Sequence, residues 1–342
     1  MRQELRYCTA RDGVRIASAS SGTGPPLVIP RGYPVAIEME PSLRQAREFY
    51  AMLGRSRTVV RYDQRGIGAS ERDVGEISLD SLMLDLEAVT DHLRLTSFDL
   101  FGAMIGADLG VLFAARHPGR IRRLVLWEPL GPLRYDPNRD TRQAIEQLIR
   151  SNWTLATQTM GAVVLPNGPA ELQQWVTQSY RSTVAPAMMI KYLRLDSTGV
   201  VEHYPALSMP TLVMHATRDP QIPIEGSRAA AAMIPNARFV AIDGDTAMAL
   251  AYPEVPGLIA SFLDEPEPKE LGAEVGSQRR NLTARELDVL RLIAAGRTNS
   301  EIAAELTLSI RTVARHITNI YAKIAARGKA DATAYALRNH LL

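Results

Sequence analysis

Cysteine and lysine are nearly missing from this 342-residue chain, and each shortage removes a class of chemistry. Cys8 is the only cysteine, so neither an internal disulfide nor a multi-cysteine metal site can be assembled, and no metal or other cofactor is expected. Lysine occurs only at Lys191, Lys269, Lys323 and Lys329. A Walker-type phosphate loop needs Gly-Lys-Ser/Thr, and a phospho-acceptor receiver domain needs a lysine late in its fold; no lysine precedes Lys191. Long apolar runs are lacking too. The longest, around Leu100 to Ala115, is broken by Asp108 and is too short to span a bilayer. The first residues, Met1-Arg2-Gln3-Glu4-Leu5-Arg6, are charged and lead into no apolar run, so no signal peptide, no membrane partner and a cytoplasmic location are expected.

What is present divides unevenly along the chain. The net charge of +2 conceals eleven basic against five acidic residues from Arg279 onward, a balance of +6 that leaves −4 for the rest. A basic end on an acidic body points to a polyanionic partner for that end. Asp264 to Arg280 is rich in charge, proline and glycine without an apolar period, and reads as a linker between a body (1–263) and a small domain (281–342). In the body, apolar runs at Leu27–Ile29, Thr58–Tyr62, Phe98–Phe101, Leu124–Trp127, Thr211–His215 and Arg238–Ile242 alternate with amphipathic stretches, the pattern of an α/β domain with a mainly parallel sheet. The rhythm breaks over about 130–205, an insertion long enough to form a helical lid above the strand ends, where ligands of such sheets bind.

Gly102-Ala103-Met104-Ile105-Gly106 lies between the strand-like run Phe98–Phe101 and a helix-like stretch from Ala107 to His117. This is the setting of a G-x-S-x-G nucleophile elbow, in which flanking glycines let a strained turn lift the central side chain above the sheet. Here the central residue is methionine. A thioether has no proton for a base to remove, so it cannot act as an acyl-accepting nucleophile.

Residues from about Arg6 to Leu263 resemble an α/β-hydrolase. The resemblance is carried by Arg31-Gly32-Tyr33-Pro34, by Asp63-Gln64-Arg65-Gly66-Ile67-Gly68-Ala69-Ser70, by the elbow, by Ala114-Ala115-Arg116-His117-Pro118-Gly119-Arg120-Ile121, and by His215-Ala216-Thr217-Arg218-Asp219-Pro220-Gln221-Ile222-Pro223. It implies a triad position at Met104, an acid at Asp219 and a base within Asp243 to Met248, by spacing at Ala247. Two of the three groups are therefore missing, and His92, His117 and His203 do not match the base's place. The resemblance also puts the backbone N–H groups of Tyr33 and Ile105 where an oxyanion hole would be. Arg31, which stands where that family often has histidine, is either a bidentate donor to an acidic ligand or the partner of a nearby acid. The expected ligand pocket is Arg31, Gly32, Tyr33, Met104, Ile105 and Asp219. The alternatives are that Asp219 bonds to its own loop and that Met104 fills core.

The tail opens with a capping box, Thr283-Ala284-Arg285-Glu286, before a helix with Leu287, Leu290, Ile293 and Ala294 on one face. A short helix, Glu301 to Leu306, follows behind Asn299 or Ser300, and Ser309 caps a third. This is helix-turn-helix spacing. Ile310, Val313, Ile317, Ile320 and Ile324 form the expected buried stripe of the third helix, leaving Arg311, Arg315, Thr318, Thr312, His316, Asn319 and Lys323 outward. Leu282 to Leu342 resembles a LuxR-type DNA-binding domain, on Leu282-Thr283-Ala284-Arg285-Glu286, Glu301-Ile302-Ala303 and Ser309-Ile310-Arg311-Thr312-Val313-Ala314-Arg315-His316. The resemblance implies DNA contacts at Ser309, Thr312, Ala314, Arg315 and Thr318, and a last helix from Ala330 that dimerises through Ala334, Leu337 and Leu341. With Arg311, Asn319 and Lys323 on the outward faces, the expected partners are a double-stranded operator, a second copy of the chain, a small-molecule ligand and RNA polymerase. The expected function is a ligand-responsive, non-enzymatic regulator. A hydrolase that recruits Ser70, Asp108, Glu128 or Asp219 with water, and a constitutive regulator with a protein-binding body, are the alternatives.

Overall fold

In a computed structural model of the chain, the described residues are 4–31, 35–130, 139–266, 282–294, 297–324, 328 and 332. Met1–Asp264 and Glu265–Leu342 form two compact units.

The body is an eight-stranded sheet in the order β1-β2-β4-β3-β5-β6-β7-β8. From β3 (Pro26–Ile29) and β4 (Thr58–Tyr62) through β5 (Phe98–Ala103), β6 (Ile121–Trp127), β7 (Thr211–Ala216) and β8 (Ala237–Ile242) all pairings are parallel. The strands alternate their burial between two faces, as a period of two demands. Val28, Val60, Leu100, Leu124, Leu126 and Val213 join one core with α2 (Leu79–His92), α3 (Ile105–Arg116) and α8 (Ile224–Met233). Leu27, Ile29, Val59, Phe101, Val125, Trp127, Leu212 and Met214 join another with α1 (Arg44–Leu53) and α9 (Val255–Leu263). Each such side chain, fully buried, contributes roughly 1.5–3 kcal/mol before conformational entropy is subtracted. Two further strands, β1 (Arg6–Thr9) and β2 (Arg15–Ser21), extend the sheet antiparallel at one edge and have no counterpart in the sequence reading. Their sequences, RYCT and RIASASS, hold small and polar residues instead of an apolar run, and Ile16, Ala17 and Ala19 are buried where β2 lies between β1 and β4.

Between β6 and β7 the chain builds α4 (Arg139–Ser151), α5 (Trp153–Val164), α6 (Ala170–Thr183) and α7 (Pro186–Leu193). These helices have their own apolar core, including Met160, Leu172, Trp175, Tyr180 and Met188, which also takes in Val35, Leu43 and Ile67 of the sheet-side loops. A bridge between Ile67 and Val184 and a hydrogen bond from Gly68 N–H to Thr183 C=O (2.8 Å) fasten this layer to the loop after β4.

The second unit contains α10 (Ala284–Ala294), α11 (Asn299–Glu305) and α12 (Ile310–Ile324) around Val289, Leu290, Ile293, Ile302, Val313 and Ile320. The box at its start is formed: Thr283 N–H donates to Glu286 Oε2 (2.7 Å), and Glu286 N–H donates to Thr283 Oγ1 (3.3 Å). The second helix corrects the expected cap. Thr298, not Asn299 or Ser300, accepts from Glu301 N–H, while Glu301 Oε2 accepts from Thr298 N–H, so a second capping box outcompetes the single asparagine or serine cap. Ser309 caps α12 through Thr312 N–H (3.1 Å). Ile310 departs from the expected buried stripe: it is 56% exposed, because the first turn of α12 overhangs the core that Val313 and Ile320 close. The proposed dimer residues Ala334, Leu337 and Leu341 lie outside the described residues, as does nearly all of the linker.

Candidate ligand cavity and nucleic-acid interface

The elbow keeps its geometry without its nucleophile. Met104 stands between β5 and α3 at φ 51°, ψ −119°, a region that costs a non-glycine residue of order 1–3 kcal/mol. The turn is held by Met104 N–H donating to Trp127 C=O (2.8 Å) and by Met104 C=O accepting from Ala107 and Asp108 (2.9 and 3.1 Å). Both flanking glycines are needed: a Cβ on Gly102 would lie 2.2 Å from Gly106 O, and one on Gly106 would lie 2.2 Å from Pro30 O. The strain is thus retained although the side chain it presents has no proton to give.

The acid position is occupied but turned to its own loop. Asp219 Oδ1 accepts from Gln221 N–H (2.6 Å) and Ile222 N–H (2.9 Å), while Oδ2 is buried with no hydrogen-bond partner. Burial raises its carboxyl above the ordinary value, against the pull of those amides. Close by, Glu128 follows β6 at φ 49°, fully buried; its Oε1 accepts from Ala216 N–H (2.9 Å) and its Oε2 has no partner. Burial, then the Asp219 carboxylate, pushes Glu128 up to about 9. His215, 3.8 Å from Glu128, bonds to Ser227 (2.8 Å) and Ile222 C=O (2.9 Å), and burial depresses it to about 4. Glu128 and His215 are therefore both neutral near pH 7 and do not form an ion pair. The base position is a methyl group: Ala247 is 1% exposed, and its carbonyl accepts from Trp127 Nε1 (2.7 Å). Among the described residues no imidazole stands between Asp219 and the elbow.

Ala247 and the elbow's Ala103 instead line a cavity of about 90 Å³ with Ile29, Val35, Phe49, Phe101, Trp175 and Met248. Its polar wall is Arg31, Glu40 and Tyr50. Of the two roles open to Arg31, the structure shows pairing with an acid: Arg31 and Arg61 both donate to the buried Glu40. Glu40 and Tyr50 were invisible to local reading, since they meet these arginines only when the short 3-10 helix Ile37–Ser42, α1 and β4 converge. Met104, Ile105 and Asp219 are not among the residues lining this cavity, and Gly32 and Tyr33 lie outside the described residues. The histidines outside this region have structural settings where contacts are defined, as with His117, which stacks on Phe113 and bonds to Glu87 (2.8 Å).

On α12, Ser309, Arg311, Ala314, Arg315, Thr318 and Asn319 are exposed. Arg311, Ala314, Arg315 and Thr318 follow one another at three- and four-residue steps or side by side, and so share one helix side. No acid pairs with Arg311 or Arg315 among the described residues. Thr312 is half-buried, its hydroxyl held by Ser309 (2.7 Å), which orders the helix start. Lys323 corrects the outward assignment: its Nζ bonds both oxygens of the buried Glu286 (2.9 and 2.8 Å) and ties α12 to α10. Its charge is committed inside the unit because the capping carboxylate would otherwise be buried without a counter-ion.

Residues 39–244 match the family described as Serine aminopeptidase, S33, and residues 280–336 match Bacterial regulatory proteins, luxR family. The chain therefore belongs to the first family by its α/β-hydrolase body and carries a LuxR-type DNA-binding regulator domain at its C-terminal end. The second match extends to the Transcriptional regulatory protein LiaR of Bacillus subtilis, 52% identical over 62 residues, which are 18% of this chain and 29% of that protein. The chain thus spans under a third of that relative. The body is 24% identical over 256 residues to the Non-heme haloperoxidase of Rhodococcus erythropolis, covering 70% of this chain and 92% of that one. Among solved structures, a bromoperoxidase from Bacillus anthracis aligns with a TM-score of 0.69 at 17% identity over 77% of this chain and all of that one (100%). An enol-lactonase from Burkholderia xenovorans gives 0.65 at 21% over 76% and 100%. At such identities the likeness is one of fold. No described helix is long and apolar enough to cross a membrane.

Proposed function

We propose that the chain is a transcriptional regulator whose hydrolase-fold body binds a small molecule without turning it over and thereby sets the DNA affinity of the LuxR-type domain. The observation that carries this reading is the pairing of a structurally intact elbow with a thioether at Met104 and a buried methyl at Ala247, on a chain whose α12 exposes Arg311 and Arg315 with no acid partner among the described residues. The binding site is the cavity beside Ala103 and Ala247, apolar apart from Arg31, Glu40 and Tyr50, and at about 90 Å³ it is below the size of a drug-like site and takes only a very small molecule or one end of a larger one. Base contacts come from the Arg311 to Asn319 side of α12, with the start of that helix held on phosphate. Dimerisation through Ala334, Leu337 and Leu341 places two copies on paired half-sites, and RNA polymerase is the downstream partner. A ligand acts only if it binds one arrangement of body and tail better than the other.

The test is a thermal-shift screen of a metabolite panel on the full chain and on Ala103→Leu, which fills the cavity, followed by duplex binding for each hit. Ligands that stabilise the wild type, leave Ala103→Leu unmoved and change duplex affinity support the reading. Hits that the protein converts to product, or hits indifferent to Ala103→Leu, sink it.

A further inference from the structure

A second, larger cavity, of about 370 Å³, lies on the far side of Glu40 and Tyr50 from the one just described. Its walls are the end of β2 at Ser20, Ser21 and Gly22, the β4 residue Arg61, the turn at Glu40 and Pro41, and one side of α1 from Ala46 to Gly54. The volume falls within the range of small-molecule sites. Its character is divided: Pro41, Ala46, Ala51 and the Tyr50 ring supply apolar surface, while Arg47, Arg61, Ser20 and Ser21 supply donors at one side.

The charges around it do not balance. Arg61, 3% exposed, gives Nη1 to Glu40 and Nη2 to Ser21 Oγ (3.2 Å), and lies over the Tyr50 ring at 4.6 Å. Glu40 is shared with Arg31, so one carboxylate serves two guanidinium groups, and both arginines keep a buried Nε without a partner. Behind them Asp63, also near Arg31, spends its oxygens on the amides of Ile37 (2.8 Å) and Ala69 (3.0 Å). The Arg47 guanidinium donates to the neutral carbonyl of Pro41 (2.7 Å) and has no acid partner among the described residues. Counting the groups that face the cavity, Arg47 and Arg61 against Glu40 leave a single positive charge.

We propose that this cavity is a second small-molecule site, for a monoanionic carboxylic acid with a compact apolar body. The carboxylate is received by Arg47 and by the Arg61–Ser21 pair, where a bidentate acceptor finds guanidinium donors and a hydroxyl together. The apolar part lies along Ala46, Ala51 and Tyr50. A monoanion matches the single uncompensated charge, whereas a dianionic phosphate would leave excess negative charge beside Glu40. The site is distinct from the cavity at Ala103 and Ala247, so it stands or falls independently of the function proposed above.

Benzoate, benzamide and phenyl phosphate serve as probes, titrated onto the full chain by saturation-transfer NMR and calorimetry. Saturable benzoate binding is expected, with benzamide and phenyl phosphate at least about tenfold weaker, the equivalent of one lost charge-assisted hydrogen bond. Arg47→Gln, an exposed change, should weaken benzoate by a similar factor, and Ala51→Phe, exposed on α1, should abolish it by covering the cavity, each with an unchanged melting temperature. Ala103→Leu should leave benzoate binding intact. Absence of saturable benzoate binding, equal binding of benzamide or phenyl phosphate, or indifference to both Arg47→Gln and Ala51→Phe overturns the proposal. Loss in Ala103→Leu alone would move the carboxylate to the other cavity, refuting this site while upholding the sensor reading.

Discussion

Glu128→Gln tests the electrostatics of the buried Glu128 and Asp219 carboxyls. Glu128 has an ordinary value of 4.5 and is pushed up to about 9 in the fold, so between these limits the unfolded chain has lost a proton that the folded body retains. A group with its folded value raised contributes stability that is fully present below 4.5 and drains away as pH rises toward 9. The loss is about 1.4 kcal/mol per pH unit, hence an upper bound of roughly 5 kcal/mol at pH 8 and under about 1 kcal/mol at pH 5. Glutamine copies the neutral form and keeps an oxygen for Ala216 N–H, so the variant escapes this penalty. For a domain of this size each kcal/mol shifts the melting temperature by about 2–4 °C, which predicts a gain of at most roughly 10–20 °C at pH 8 and less than about 4 °C at pH 5. Tryptophan fluorescence reads the body alone, because the chain's three tryptophans, Trp127, Trp153 and Trp175, all lie in it. His215, depressed to about 4, adds an opposite slope below 6.5, which cancels when variant and wild type are compared at equal pH. Destabilisation at pH 8, or a gain independent of pH, would show that Glu128 is ionised in the fold and refute the reasoning.

Other expectations follow from the same contacts. Met104→Ser alone should yield no esterase turnover above background on aryl acetates, since Ala247 offers no base; a strong burst of product from the single variant would contradict that. Gly102→Ala, whose methyl would meet Gly106 O at 2.2 Å, should cost the body at least about 3 kcal/mol by denaturant titration. Glu286→Gln should loosen the tail by roughly 1–3 kcal/mol, because the Lys323 ammonium loses its counter-charge. Burial opposes ionisation of Glu286, but Lys323 and Thr283 outweigh it and lower the carboxyl, so the wild-type contribution is present above 4.5 and lost as pH falls through the lowered value. A variant effect that grows on acidification would be inconsistent with this sign. Arg315→Ala should weaken duplex binding by about 1–3 kcal/mol when followed by anisotropy, and an unchanged affinity would remove that side of α12 from the interface.

Legibility in the sequence tracked how local the determining physics was. Thr58–Tyr62 forms its strand with the boundaries its apolar run implied, and the elbow was readable because two glycines at fixed spacing meet a purely steric need. The antiparallel β1 and β2 were not readable, since the Ala and Ser of β2 acquire burial only when that strand pairs with β1 and β4. Periodicity placed Ile310 inward by counting turns, but cannot say where along a helix the core ends. Lys323 looked like one more outward cation because its partner, Glu286, lies 37 residues away. Arg31 is the same lesson inside the body: sequence offered a ligand or an acid as its partner, and only the convergence of Arg31, Arg61 and Tyr50 on Glu40 decided between them.

The central claim is that a hydrolase-fold body lacking nucleophile and base reports ligand occupancy to a DNA-reading tail. The direct measurement is an anisotropy titration of a duplex, selected from a random pool by the full chain, with and without each small molecule that stabilises the body. A change in Kd of at least about fivefold, with the ligand recovered unaltered, is the predicted result. An unchanged Kd across every stabilising ligand, or recovery of the ligand as hydrolysis product, would contradict the account.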